Sequence, residues 1–233
     1  MDLPASNAGP APRHGDRAPR ALLLVFAGIW AALAIAPRYR QDWLLENVAV
    51  LLAVPMLVWS FRRVRLSNAS YAAIFVFLVL HEIGAHYTYS EVPYDRWIRS
   101  LSGFSPDQML GLTRNHYDRA IHFLYGLLIT PAVVELLAAR APPQGVWRWI
   151  LPVSFVMSNS VVYELAEWAA ALVFGGDLGV AYLGTQGDPW DAQHDMALAT
   201  LGSVVAMAWI GVRSRRHPHA SALPVPGSAR RGH

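Results

Sequence analysis

Residues 71–89 read Tyr-Ala-Ala-Ile-Phe-Val-Phe-Leu-Val-Leu-His-Glu-Ile-Gly-Ala-His-Tyr-Thr-Tyr. The first ten carry no charge, and at ~1.5 Å per helical residue the stretch reaches across the roughly 30 Å hydrocarbon layer of a bilayer. A run of this length reads as a membrane span, and His81, Glu82 and His86 lie in its later half. Working outward, comparable runs occupy Ala21 to Pro37, Trp43 to Phe61, Asp118 to Leu137, Trp149 to Phe174 and Ala192 to Val212. Composition agrees: of 233 residues 54% are apolar and 15% charged, against about 25% charged in soluble domains. A soluble α/β enzyme, a disordered chain and a collagen-like fibre are excluded. The expected fold class is all-α, a polytopic membrane bundle of about six transmembrane helices.

Orientation follows from the basic residues, all 19 of which are Arg. With the N-terminus inside, the inner segments hold Arg13, Arg17, Arg20, Arg62, Arg63, Arg65, Arg140, Arg148, Arg213, Arg215, Arg216, Arg230 and Arg231. Only Arg38, Arg40, Arg96, Arg99, Arg114 and Arg119 remain outside, so both termini are expected to be cytoplasmic. The first run resembles a secretory signal, but Pro37 directly after Ala34-Ile35-Ala36 argues against cleavage, and it is read as a retained span. Residues 1–20 and 214–233, rich in Pro, Ala, Gly, Ser and Arg, are expected to be disordered cytoplasmic tails flanking a membrane domain over 21–213. The zero cysteine count removes disulfides and thiolate ligands. The pI near 9.4 comes largely from arginine tails and does not point to nucleic acid.

Ionised side chains inside hydrocarbon cost about 2.5–3.5 kcal/mol each on insertion scales, so clusters of them need a reason. Glu82 and His86 share a face of the third span, as do Asp118 and His122 in the fourth. The fifth holds Glu164 and Glu167, with Tyr163 one turn before Glu167; Asp188 precedes the sixth, which carries Asp191 and Asp195 on one face. Spans three and five run outward with these groups late, whereas four and six run inward with theirs early. All four spans therefore bring polar groups to the outer half of the bilayer, which predicts one shared site. Glu135 falls at the inner end, and Gly202, Ser203 and Ala206 are expected to let helices pack closely.

Carboxylates and imidazoles from several helices form the ligand set of carboxylate-bridged metal centres. Glu82, His86, Asp118, His122, Glu164, Glu167, Asp191 and Asp195 are the candidate ligands, and a divalent Zn, Mn or Fe suits them. No His-Glu-x-x-His motif is present, so the metal reading rests on convergence alone. The bland alternative is an interhelical network in which Arg114 and Arg119 answer the acids. Arg119, Arg114, His81, Tyr163 and Asp188 are candidate substrate-binding residues, because guanidinium groups take phosphate in a bidentate way. A membrane lipid, in particular an anionic lipid or polyprenyl phosphate, is the expected ligand.

Four strings resemble the YjdF family of bacterial inner-membrane proteins: His81 through Tyr89, Arg114 through Arg119, Tyr163 through Trp168, and Leu183 through Asp188 with Trp190, Asp191, Asp195 and Met196. The likeness covers roughly Leu80 to Gly202 and implies a multi-pass protein of the bacterial inner membrane, without implying an activity. A more distant likeness is to VanZ-type proteins, through Asp118-Arg119-Ala120-Ile121-His122-Phe123. This chain departs from that pattern at two places, with Gly126 where a Tyr is expected and Ala199 where an Asn is expected.

Three functions compete on the sequence: a metal-dependent enzyme acting on an envelope lipid, a non-enzymatic accessory protein binding a lipid or drug headgroup, and a proton-coupled transporter. The last lacks the polar groups on the inner half that a complete path would need, and no inverted repeat is evident.

Overall fold

The computed structural model describes residues 17–174 and 183–216, all helix and loop with no strand among the described residues. Eight α-helices are described: α1 (Arg17–Leu33), α2 (Arg40–Ser60), α3 (Asn68–Tyr87), α4 (Tyr94–Ser102), α5 (Pro106–Leu110), α6 (Tyr117–Arg140), α7 (Trp147–Phe174) and α8 (Asp191–Arg216). Five of them, α2, α3, α6, α7 and α8, are long and apolar enough to cross a membrane. The first run forms a helix of 17 residues, a little short of the other five. It starts four residues before the expected span, since Pro19 sits in the first turn, where a missing N–H costs nothing. At the other end α8 runs through Arg216, past the expected boundary at Val212. The remainder of both tails lies outside the described residues.

The helices end where local chemistry dictates. Ser67 caps α3 by accepting the Ser70 amide at 3.1 Å, and Thr88, at φ 56°, turns the chain out of it. Pro55, Pro131 and Pro152 are accommodated inside α2, α6 and α7. The short α4 and α5, unassigned from the sequence, fold the loop between α3 and α6 around Asp95. Its carboxylate accepts the Ser105 hydroxyl at 2.7 Å and the Asp107 amide at 3.0 Å.

Helices α6 and α8 form the tightest pair. A Cβ on Gly126 would overlap the Ala199 carbonyl and stand 2.7 Å from the Ser203 amide; one on Gly202 would overlap the Phe123 carbonyl. Thr130 donates to the Gly126 carbonyl at 2.6 Å and meets the Ser203 hydroxyl at 2.7 Å. Small residues let two backbones touch in lipid, where no hydrophobic force drives helices together. The two departures from the VanZ-type pattern, Gly126 and Ala199, thus lie against one another. Outward faces remain apolar: Leu51, Leu52, Met56, Leu165, Leu172 and Val173 are exposed, as lipid contact requires.

At one end Val64, Leu66, Tyr71 and Ala132 pack with Phe61, Ile74 and Leu136 into an apolar plug. Glu135 is fastened beside it, accepting the Ser67 amide at 2.6 Å and the Ser70 hydroxyl at 2.8 Å. The remaining intramembrane acids gather at the opposite end.

Candidate functional site

Two loops bring the N-termini of α6 and α8 together. Asn115 accepts the Tyr117 amide and donates to the Val92 carbonyl, both at 2.9 Å. Its backbone exchanges two hydrogen bonds of 2.9 Å with the Gln186 side chain, one to Oε1 and one from Nε2. Arg114 reaches across to the Thr185 carbonyl at 3.1 Å. With the helix starts stapled, residues in the first two turns of α6 and α8 face each other.

Those residues are Asp118, His122 and Asp195, whose ligating atoms lie within 4.8 Å of one another. His122 Nε2 stands 3.6 Å from Asp118 Oδ1 and 3.4 Å from Glu164 Oε1 of α7. Asp195 is 2% exposed, His122 8% and Glu164 9%. Asp195 Oδ1 and Glu164 Oε1 are buried with no hydrogen-bond partner. Orphaned oxygens beside an imidazole are an expensive arrangement in a protein interior unless something meets them. Ligands about 2.1 Å from a shared metal stand at most ~4.2 Å apart, so small side-chain adjustments would close this set on an ion.

Around this centre the structure sorts the other sequence candidates. Arg114 and Arg119 bracket Asp188 and Asp191: Arg114 Nη2 lies 2.8 Å from Asp191 Oδ1, and Arg119 pairs closely with Asp188. Asp188 also meets His194 Nδ1 at 2.9 Å. Asp191 therefore serves the arginine network at the mouth, one turn from the His122 cluster. Tyr163 donates to Glu46 Oε2 at 2.6 Å, and its ring meets His122 edge-on with centroids 5.9 Å apart. His81 accepts the Tyr89 hydroxyl on Nδ1 at 2.5 Å and places Nε2 3.3 Å from the Glu46 carbonyl. It is a clamp between α2 and the turn at Tyr89.

His86 is elsewhere, with Nδ1 2.8 Å from the Leu33 carbonyl at the end of α1. Glu82, 0% exposed, faces Trp43 and Asn47 of α2, away from the His122 cluster. Glu167 lies on a separate crevice with Asp42, Glu46 and Asp118. Asp42 and Glu46 were not among the residues expected from the sequence. They are four residues apart on one face at the start of α2, the same one-turn spacing that identified Asp118 with His122.

A groove of about 600 Å³ opens on the flank of the bundle, between α7 and the loop leading into α8. Leu165, Trp168 and Met196 line it, and Glu164 and Asp191 form part of its wall. Through Glu164 its wall reaches the His122 cluster.

Outside the membrane-spanning segments the loop carboxylates are held ionised. Asp188 lies below the usual carboxylate value of 3.8, through the Trp190 amide first and then through His194 and Arg119; Asp95 is lowered by the Asp107 amide and the Ser105 hydroxyl. A depressed pKa contributes stability that is complete above the ordinary value and is lost as pH falls through the folded one. Hydrogen exchange should show the Trp190 and Asp107 amides equally protected from about pH 8 to about pH 5, opening only below about pH 4. Opening between pH 6 and 7 would mean that another group holds these loops.

The chain matches the family described as "Predicted membrane protein (DUF2238)" over residues 18–216. It belongs to that family. It is also 34% identical over 190 residues to the inner membrane protein YjdF of Escherichia coli (strain K12), covering 81% of this chain and 84% of that protein. The family resemblance read from the four polar strings is thereby established, and with it a membrane protein of several apolar helices. No solved structure matches.

Proposed function

We propose that this chain is a bacterial inner-membrane protein that holds a divalent metal, Zn, Mn or Fe, on Asp118, His122, Glu164 and Asp195 and acts on an envelope lipid. The observation that carries the reading is the gathering of Asp118, His122 and Asp195 within 4.8 Å, beside orphaned oxygens of Asp195 and Glu164. A bound metal would supply Lewis-acid polarisation of a phosphoryl or carbonyl oxygen. The flanking groove suits the acyl or prenyl chain, its apolar wall leading a headgroup toward Glu164. Arg114 and Arg119 are already ion-paired, so an anionic headgroup would reach them by exchanging with Asp188 or Asp191. In this reading α1 is the sixth span, its exposed Leu24 and Val25 facing lipid, and the arginine bias sets both termini in the cytoplasm with the centre near the periplasmic surface.

Metal analysis of gently purified protein tests the centre. The wild type should carry metal that chelation removes, and His122→Ala should lose the equivalent held at this centre at equal folded yield. A folded wild type that takes up no Zn, Mn or Fe would sink the proposal. Turnover of co-purified lipid, abolished by chelation, is expected of an enzyme. Lipid retained through chelation and never turned over would instead identify an accessory headgroup-binding protein.

A further inference from the structure

On the far side of Asp118 from the α8 ligands lies a second, smaller space. It is a crevice of about 10 Å³, the volume of one water-sized sphere, and four carboxylates line it: Asp42 and Glu46 from α2, Asp118 from α6 and Glu167 from α7. Acids gathered in one place do not by themselves make a site. Asp42 adds the independent observation. It is 2% exposed and lines the crevice, its Oδ2 is held by the Thr88 hydroxyl at 3.0 Å, and its Oδ1 is buried with no partner. Glu46, 5% exposed, is likewise held on one oxygen by Tyr163. Asp42 thus keeps its other oxygen uncommitted.

Acids dominate the surroundings of the crevice, and Arg114 and Arg119 act on it only through Asp118. The charged neighbours acting on Glu46 are Asp118, Asp42 and Glu82, and those acting on Glu167 are Glu46, Glu164 and Asp118. The arginines lie beyond Asp118, on Asp188 and Asp191. Oxygen-only donors in a space for one small sphere fit a hard divalent cation, whereas the neighbouring cluster, which includes an imidazole, suits a borderline metal.

We propose that this crevice is a second cation site, taking Mg²⁺ or Mn²⁺ on Asp42, Glu46, Asp118 and Glu167, with Asp118 shared between it and the His122 centre. The inference rests on the metal reading of that centre for its neighbour, though not for its own ligands. Two cations bridged by one carboxylate would place a phosphoryl group between two positive charges, which narrows the expected substrate to a lipid phosphate or pyrophosphate.

Full-length protein in detergent, stripped with chelator and titrated with Mn²⁺, provides the test, read by bound metal per chain and by spin coupling between manganese ions. The wild type should bind two equivalents, with a coupled signal. Asp42→Asn and Glu46→Gln, each conservative in shape, should separately reduce this to one uncoupled equivalent, and His122→Ala should also leave one. Asp118→Asn should weaken both. One equivalent in the wild type, lost in His122→Ala and unchanged in Asp42→Asn and Glu46→Gln, would overturn the second site while leaving the first. No binding at all in folded wild type would overturn both. Folded state is read by size-exclusion elution, and Glu46→Asp, which keeps the charge, should retain the second equivalent if the site is real.

Discussion

Gly126→Leu should eliminate the folded bundle, the largest single-residue effect anticipated for this chain. A Cβ at that position meets the Ala199 carbonyl and the Ser203 amide, which belong to backbone and cannot swing aside. Overpacking against yielding side chains costs about 1–3 kcal/mol; here α6 and α8 must separate, breaking the Thr130 to Ser203 contact and drawing Asp195 away from Asp118 and His122. Gly202→Leu should behave alike, since its Cβ meets the Phe123 carbonyl. Gly28→Leu is the control, because nothing lies within 4 Å of its Cβ. The measurement is the monodisperse fraction after detergent extraction, expected near wild type for position 28 and at least tenfold lower for 126 and 202. Normal extraction of Gly126→Leu would show that the two helices do not touch there.

The second large effect concerns Asp191, 4% exposed, which answers Arg114 at 2.8 Å and lies 3.4 Å from Arg119. Removing one partner of a buried pair costs about 3–5 kcal/mol, and here Arg114 would keep only the longer contact to Asp188, at 3.5 Å. Asp191→Ala should therefore lower thermal stability in detergent steeply. Adding Arg114→Ala should restore much of it, because Arg119 keeps Asp188. Ion pairs that only decorated the surface would give single-variant costs below about 1 kcal/mol and no rescue. A double-mutant cycle read by thermal unfolding separates the two outcomes.

Much of this architecture was readable in the chain because the bilayer enforces it. Long apolar runs have one stable conformation in lipid, so the spans at Trp43, Tyr71, Asp118, Trp149 and Ala192 correspond to α2, α3, α6, α7 and α8, shifted by a few residues where Ser67 or Arg40 extends a helix into the interface. Asp118, His122, Glu164 and Asp195 meet because helices of alternating direction carry them at opposite ends of their sequences. What the pattern could not convey was rotation. His86 has the right depth and spacing, yet it points at the end of α1, where the free Leu33 carbonyl offers a partner. Asp191 shares a face with Asp195, but two arginines from the preceding loop and first turn of α6 reach it first. Asp42 and Glu46 are less legible, because a span beginning at Trp43 leaves Asp42 in a loop and Glu46 isolated.

The apolar plug of Val64, Leu66, Tyr71 and Ala132 at the far end has an electrical consequence. Glu46, His122 and Asp195 lie five to seven residues into α2, α6 and α8, about 6–9 Å along the axes from the helix starts at ~1.5 Å per residue; with those starts at the membrane surface, as proposed, the groups would sit at a shallow level. A charge carried through the whole bilayer exchanges about 2.3 kcal/mol per 100 mV, but one that halts at this shallow level crosses only a fraction of the voltage drop. Cations would enter and leave by the same face, so collapsing the membrane potential should hardly alter their occupancy, and the bundle should behave as an insulator rather than a conductor.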